Sequence, residues 1–421
     1  MASQAGMRDF IRLDRLTVSG DVLRYDFSTS LDVFRKTSFF VEYDRPFAEP
    51  AESILTMPFA GVMMTVAWAS GADLEMPSID ASFAESLERS SHYWMKCYPA
   101  WPFRSRLAAR RVENRRDGNA GYGMLFSSGL DSLATYVRHR GKKPELFTVI
   151  GADFPHARAD FATLCKERLF EDLARADGVT LRYIRTDIDE TLDLKKLSRF
   201  AANWYGAVQH GLMLTSLVAP ASHTYLKTLF MASCSHKRDY HFPCGSEPEV
   251  VRGLRWAGTA VEDDLHEMNR AQKVGAWLKP FPAYHKYLRV CWEQYDKINC
   301  SRCEKCLRTI CELLLNNEDP NRYNFQVDAG TLEYLRRKLR DRYYLFFRGN
   351  EGLLNYWRAI RESIDLDRLE DRHGSKAFFE WLKAFRKLDR PQNPWLVSSW
   401  LRLLELRDSL RSALKNPTPA A

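Results

Sequence analysis

Residues 10 to 45 alternate between apolar and polar positions in "LTVSGDVLRYDFSTS" and "SFFVEYDRP", with turn residues between the runs. A period of two predicts a β-hairpin or small sheet there. The chain then becomes almost continuously apolar from Ile54 to Ala72, "ILTMPFAGVMMTVAWASGA". Pro58, Gly61 and Gly71 interrupt that run and no basic flank follows, which predicts a buried strand or helix pair rather than a membrane span. Helical spacing follows in "DASFAESLERSSHYWMKCY", with Asp80 or Ser82 as N-cap. A basic and then glycine-rich stretch from Arg104, "RSRLAARRVENRRDGNAGYG", marks a domain boundary near residues 115 to 121.

From Gly123 strands and helices alternate. "GMLF" leads into the helix "SLATYVRHR", and "ELFTVIGADF" into "ADFATLCKERLFEDLARADG", whose final Gly178 suits a helix C-cap. "TLRYIRTDI" is a third strand. This order predicts βαβ units and a mostly parallel sheet, an α/β fold class. Beyond about residue 330 the pattern is helical, from "LEYLRRKLRDRYYLFFRG" to "WLVSSWLRLLELRDSLRSAL". Three domains are expected: an α+β accessory domain over 1–115, an α/β domain over 116–330 and a helical region over 331–421.

Composition narrows the class only slightly. The 421 residues are 45% hydrophobic and 28% charged, an ordinary globular balance for two or three domains. "MASQAGMRDFIRLDR" has no apolar core of a signal peptide. Nine cysteines in a long chain without such a signal predict free thiols and a reducing cytoplasm. The net charge of +8 permits an anionic partner without requiring one.

Candidate chemistry begins at "GMLFSSGLDSLATYVRH", where an apolar strand meets Ser127, Ser128, Gly129, Leu130, Asp131 and Ser132 at the start of a helix. Small residues at a strand-to-helix turn gather backbone N–H groups at the positive end of the helix dipole, which makes an anion site. Asp131 within it suits Mg²⁺ or a nucleotide hydroxyl. The P-loop pattern G-x-x-x-x-G-K-[ST] is absent. The hexapeptide resembles the S-G-G-x-D-S signature of the PP-loop ATP pyrophosphatases, which split ATP between its α and β phosphates. Ser128 stands where that family carries its first glycine, keeping an N–H but adding a Cβ. An ordinary serine-capped turn is the bland reading.

A second motif is "CWEQYDKINCSRCEKC", which sets Cys291, Cys300, Cys303 and Cys306 in a C-x8-C-x2-C-x2-C array. Four thiolates so spaced suit tetrahedral Zn²⁺, and an iron–sulfur cluster is the rival. Cys97, Cys165, Cys234 and Cys311 read as core packing. The two motifs together resemble 7-cyano-7-deazaguanine synthase, over roughly residues 120 to 315. That resemblance implies an adenine nucleotide alpha-hydrolase-like sheet with helices on both faces, ATP, Mg²⁺ and Zn²⁺, and adenylation of 7-carboxy-7-deazaguanine before amide formation. The extra chain on both sides is similar to the long synthase-like proteins of type IV CBASS and Qat anti-phage systems. For those, a partner protein's N-terminus is the implied acceptor.

Between the motifs, Gly245 and Ser246, then Asp264, Glu267, Arg270 and Lys273 at D-x2-E-x2-R-x2-K spacing, resemble the long members' substrate segment. A carboxylate there would accept from a guanine-like base, and Arg270 and Lys273 would meet the carboxylate or pyrophosphate, with catalytic roles alongside Asp131. The same spacing also fits one face of a solvated amphipathic helix. Lys237 and Arg238 are alternative pyrophosphate contacts, and His236 and His241 are candidates for acid–base work. Asp153, closing the second strand, suits a ribose or metal, beside Val149 to Ala152 as an adenine border. The C-terminal aromatics, Tyr343, Tyr344, Phe346, Phe347, Trp357, Trp381 and Trp395, read mainly as core, with a nucleic-acid surface as the lesser reading. Rival functions are the free synthase using ammonia, a tRNA-modifying adenylase and a nucleotide-binding scaffold without turnover. A homodimer is compatible with all of these.

Overall fold

The computed structural model describes residues 8–47, 50–115, 118, 120–152, 166–234, 243–294, 297–347 and 350–390. The chain forms two compact units, Met1–Arg289 and Val290–Ala421.

The first unit is built on one eleven-stranded sheet in the order β10-β11-β9-β6-β7-β8-β3-β2-β1-β4-β5. Its N-terminal strands are β1 (Phe10–Ser19), β2 (Val22–Thr29), β3 (Ser38–Tyr43), β4 (Asp73–Asp80) and β5 (Leu107–Val112). The parallel centre comprises β6 (Gly121–Leu125), β7 (Glu145–Ile150), β8 (Leu181–Thr186), β9 (Leu226–Ala232) and β11 (Thr259–Asp264), with the short β10 (Arg255–Trp256) antiparallel at its edge. The two burial patterns explain the two sequence rhythms. β2 buries alternate residues, whereas Leu146 to Val149 of β7 are buried without interruption, as a strand covered on both faces requires.

The alternating segment 10–45 is therefore an antiparallel meander of three strands. β3 also pairs antiparallel with β8, Tyr43 opposite Ile184, so the meander extends the same sheet as the parallel strands. The expected boundary near residue 115 falls inside this unit, and the compact division lies between Arg289 and Val290.

The apolar run becomes a turn, Glu52–Leu55, and the helix α1 (Met57–Ser70), closed by Gly71 in the left-handed region at φ 78°. Every residue of α1 from Met57 to Ala69 is buried, so it is apolar all round because protein surrounds it. Among the described residues, no helix is long and apolar enough to cross a membrane. The next helix, α2 (Ala81–Cys97), starts on Asp80, whose carboxylate accepts from the Phe83 N–H at 2.9 Å. Three further helices matter for the site: α3 (Leu130–His139), α4 (Asp172–Asp177), closed by Gly178 as expected, and α5 (His210–Ser222).

The second unit is helical, with α6 (Glu304–Leu314), α7 (Ala329–Asp341), α8 (Glu351–Glu362) and α9 (Ser375–Ala384). Trp357, Tyr343 and Phe347 are core residues here, as is Cys311. The helix expected around "WLVSSWLRLLELRDSLRSAL", with Trp395, lies outside the described residues.

Candidate functional site

Chain order places the site. From β6 the chain moves outward through α3 to β7 and β8, then returns through α5 to β9 on the opposite side of β6. The direction of winding thus reverses between β6 and β9, and at such a switch point the carboxyl ends of the strands leave a crevice. The turn Ser127–Gly129 follows β6 directly, and Ser233 follows β9.

The turn is held by its own small side chains. Phe126 N–H donates to the Phe147 carbonyl at 2.8 Å, keeping the chain extended as it leaves β6. Gly129 is the N-cap of α3 and lends no side chain to it, so the first-turn N–H groups face outward from the helix end. Ser127 Oγ and Ser132 Oγ lie 3.3 Å apart, and Ser132 Oγ donates to the Gly129 carbonyl at 3.1 Å. Ser128 adopts a left-handed φ of 60°, which costs a non-glycine residue about 1–2 kcal/mol. Two hydrogen bonds offset this. Its buried hydroxyl donates to the Tyr287 carbonyl, and its own carbonyl accepts from Arg289 N–H at 2.9 Å. The additional Cβ is thereby tied to the Tyr287 segment.

Asp131, in the first turn of α3, is met by two cations. Lys273 Nζ is 2.9 Å from Oδ1, and Arg270 ion-pairs with Oδ2. The Arg270 and Lys273 side chains are 7% and 1% exposed, that of Asp131 only 16%, so the cluster is largely withdrawn from water. Lys273 also donates to the Ser233 carbonyl at 2.6 Å, which joins the turn after β6 to the end of β9. Two positive charges at a helix N-terminus suit an anion, and Asp131 balances one of them.

The D-x2-E-x2-R-x2-K segment is not one helix. Asp264 ends β11, Glu267 lies in the following loop, and only Arg270–Lys273 is helical, opened by a capping box between Asn269 and Gln272. Asp264 and Glu267 are bound by the last turn of α3. His139 Nε2 lies 3.1 Å from Asp264, and Arg138 lies 3.3 Å from Asp264 and 3.2 Å from Glu267. Eight helical steps separate His139 from Asp131, about 12 Å along the axis of α3. The structure therefore gathers Arg270 and Lys273 at Asp131 and places Asp264 and Glu267 towards the far end of the helix. Gly245 and the buried Ser246 lie beside His210, Cys234 and Cys244. Asp153, Cys165, His236, Lys237, Arg238 and His241 lie outside the described residues.

In the second unit Cys291, Cys300, Cys303 and Cys306 converge. Their sulfurs are 3.9 Å apart for Cys291–Cys303 and 3.8 Å for Cys300–Cys306. A tetrahedron with Zn–S bonds of about 2.3 Å has edges of about 3.8 Å, so the cluster can hold a metal such as zinc. Backbone N–H groups are already turned to the sulfurs. Cys303 donates to Cys300 at 3.2 Å, Arg302 to Cys300 at 3.4 Å and Cys306 to Cys303 at 3.4 Å, with Ser301 at φ 57° making the tight turn. Hydrogen bonds from Cys300 and its neighbours hold the Cys291 thiol well below its ordinary value. Cys300 is drawn down to about 6, the opposing bond from Cys291 being outweighed by those from Cys303 and Cys306. Cys303 and Cys306 are pushed up, chiefly by Cys291. All described cysteines are free thiols.

Sequence reasoning missed two features of the first unit. One is the group of His210, Cys234 and Cys244, where Cys234, read as core packing, has its sulfur 3.1 Å from that of Cys244. No fixed spacing announces this group. The other is Asp263, whose carboxyl burial pushes up to about 7 against the pull of Arg252, 3.2 Å away. Compared with protein-family models, curated proteins and solved structures, the chain finds no match.

Proposed function

We propose that the chain is an ATP-dependent ligase of the PP-loop type, which adenylates the carboxylate of 7-carboxy-7-deazaguanine and then forms an amide. The observation that carries this reading is the convergence of Arg270 and Lys273 on Asp131 at the N-terminus of α3, at the switch point of the sheet. An anion arriving there meets backbone N–H groups and two buried cations, which suits the pyrophosphate that leaves when a carboxylate oxygen attacks the α-phosphorus of ATP. Asp131 keeps both cations placed before the nucleotide enters and is the residue suited to hold Mg²⁺ on the phosphates. The acyl-adenylate is then attacked by an amine, the C–N bond forms and AMP departs. The length of chain outside the turn-and-cation region favours a protein N-terminus as the amine, in an anti-phage setting. The tetracysteine cluster serves as a structural zinc site in this reading.

Exchange of labelled pyrophosphate into ATP, dependent on 7-carboxy-7-deazaguanine, tests the first step with the full chain. Release of phosphate and ADP in place of pyrophosphate and AMP would overturn it. Intact mass spectrometry of partner proteins made with the enzyme tests the second, through an adduct on the N-terminal residue.

A further inference from the structure

We propose that His210, Cys234 and Cys244 form a second metal centre, a site for a zinc-class cation with three ligands among the described residues. Their ligand atoms all lie within 4.8 Å of one another. Two thiolates and one imidazole are a soft donor set that selects zinc over magnesium or calcium. A Cys₂His set with a vacant fourth position is also a known arrangement for catalytic zinc.

The imidazole is oriented for the task. His210 Nδ1 lies 3.1 Å from the Tyr205 carbonyl oxygen, which can only accept. A neutral ring therefore carries its proton on Nδ1, and Nε2 is the nitrogen that would ligate a metal, the arrangement that metal-binding histidines use. A π-helical turn, Tyr205–Gln209, immediately precedes His210 and sets its angle at the start of α5. Such turns concentrate at functional sites.

The two sulfurs also have polar support. Ser246 Oγ is 3.3 Å from Cys234 Sγ and 3.5 Å from Cys244 Sγ, and the Cys244 N–H donates to Tyr93 Oη at 3.1 Å. Glycines permit the approach of the two segments. A Cβ at Gly245 would stand 2.7 Å from His210 Nδ1, and one at Gly211 would stand 2.0 Å from the Gly245 carbonyl oxygen. The sulfur separation of 3.1 Å is shorter than the edge of about 3.8 Å in a zinc tetrahedron, so binding must part the pair by about 0.7 Å.

The location gives such a cation a purpose. Cys234 follows Ser233, the residue that accepts from Lys273, so the centre lies at the carboxyl end of β9, beside the turn after β6. A cation there would bind water or a substrate oxygen or nitrogen atom next to the anion cradle. This inference does not depend on the adenylation reading, because metal content is measured without turnover.

The test is elemental analysis of the full chain purified without chelators, together with absorption spectra after cobalt replacement. Two metals per chain are expected. Cys244→Ser and His210→Gln should each halve that content while Cys303→Ser removes the other metal. In the cobalt form, Cys244→Ser should delete the spectrum of the two-thiolate site and leave that of the four-thiolate site. Thermal unfolding of each variant shows whether the fold is retained, and the wild-type count needs no variant. A wild-type chain with one metal, lost on Cys303→Ser and retained on Cys244→Ser, overturns the proposal. A Cys234–Cys244 disulfide in the fresh protein, with no second metal, overturns it equally.

Discussion

Replacing Lys273 with methionine tests how far the first unit depends on the charge cluster at α3. The substitution keeps an unbranched stem of similar length and deletes the ammonium. It withdraws a 2.9 Å ion pair from Asp131 and a 2.6 Å hydrogen bond from the Ser233 carbonyl, at a side chain only 1% exposed. Breaking a buried pair from one side typically costs about 3–5 kcal/mol. Asp131 retains Arg270, so the lower end, about 3 kcal/mol, is expected. For the unit Met1–Arg289, an unfolding entropy of about 2.1 cal/mol/K per residue converts that into a fall in Tm of about 5 °C. Calorimetry and urea denaturation read the loss. The double variant Asp131→Asn with Lys273→Met should lose less than the two single losses combined, by about 1–2 kcal/mol, because Asp131→Asn alone strands both Arg270 and Lys273, whereas with Lys273 already replaced it strands only Arg270. Single losses that add to within about 0.5 kcal/mol would refute the coupling.

Other outcomes follow from the same geometry. Asp131→Ala should abolish pyrophosphate exchange while the far-ultraviolet circular dichroism stays native, and wild-type exchange by the folded variant would remove Asp131 from the reaction. Cys303→Ser should lose the tetracysteine metal and most soluble yield, since structural zinc supplies about 10–16 kcal/mol in small sites; elemental analysis showing iron instead of zinc would contradict this. Asp263 holds its proton up to about pH 7 in the folded chain but only to about pH 3.9 when unfolded, so its contribution is complete below pH 4 and lost as pH rises through 7, about 4 kcal/mol in all. Asp263→Asn should therefore flatten the fall in urea midpoint between pH 5 and pH 8, and an unchanged slope would show that another group sets it. Charge reversal at Arg337, Lys338 and Arg340 should spare pyrophosphate exchange but slow transfer to a protein acceptor, as followed by intact mass.

Local physics made most elements of the first unit legible. The period of two in 10–45 and the continuous apolar run of β7 each correspond to the burial that the structure shows. Asp80 and Gly178 mark a helix start and a helix end because capping is decided by the few residues around it. Pairing between β3 and β8 was not legible. It joins residues far apart in the chain, and neither strand's own pattern distinguishes an edge from an interior position. A spacing of three residues made D-x2-E-x2-R-x2-K resemble a helix face, although Asn269 and Gln272 form a capping box that starts the helix only at Arg270. The residues of that cap, Asn269 and Gln272, stand in the sequence at the spacing a capping box requires.

The candidate site shows why topology must supply what periodicity cannot. Its parts come from residues 127–132, 233–234 and 270–273, three segments with no common local pattern. They meet because the chain leaves β6 in one direction and returns to β9 on the other side, so that the loops after both strands open onto one crevice. Lys273 then ties two of these segments together, through Asp131 on α3 and the Ser233 carbonyl after β9. A withdrawn ammonium held by one carboxylate and one carbonyl is an expensive device for stability alone, since apolar residues of similar volume often serve as well. In the proposed reaction its position at the crevice would give it work that an apolar replacement could not do: to present positive charge where an incoming anion meets the first turn of α3.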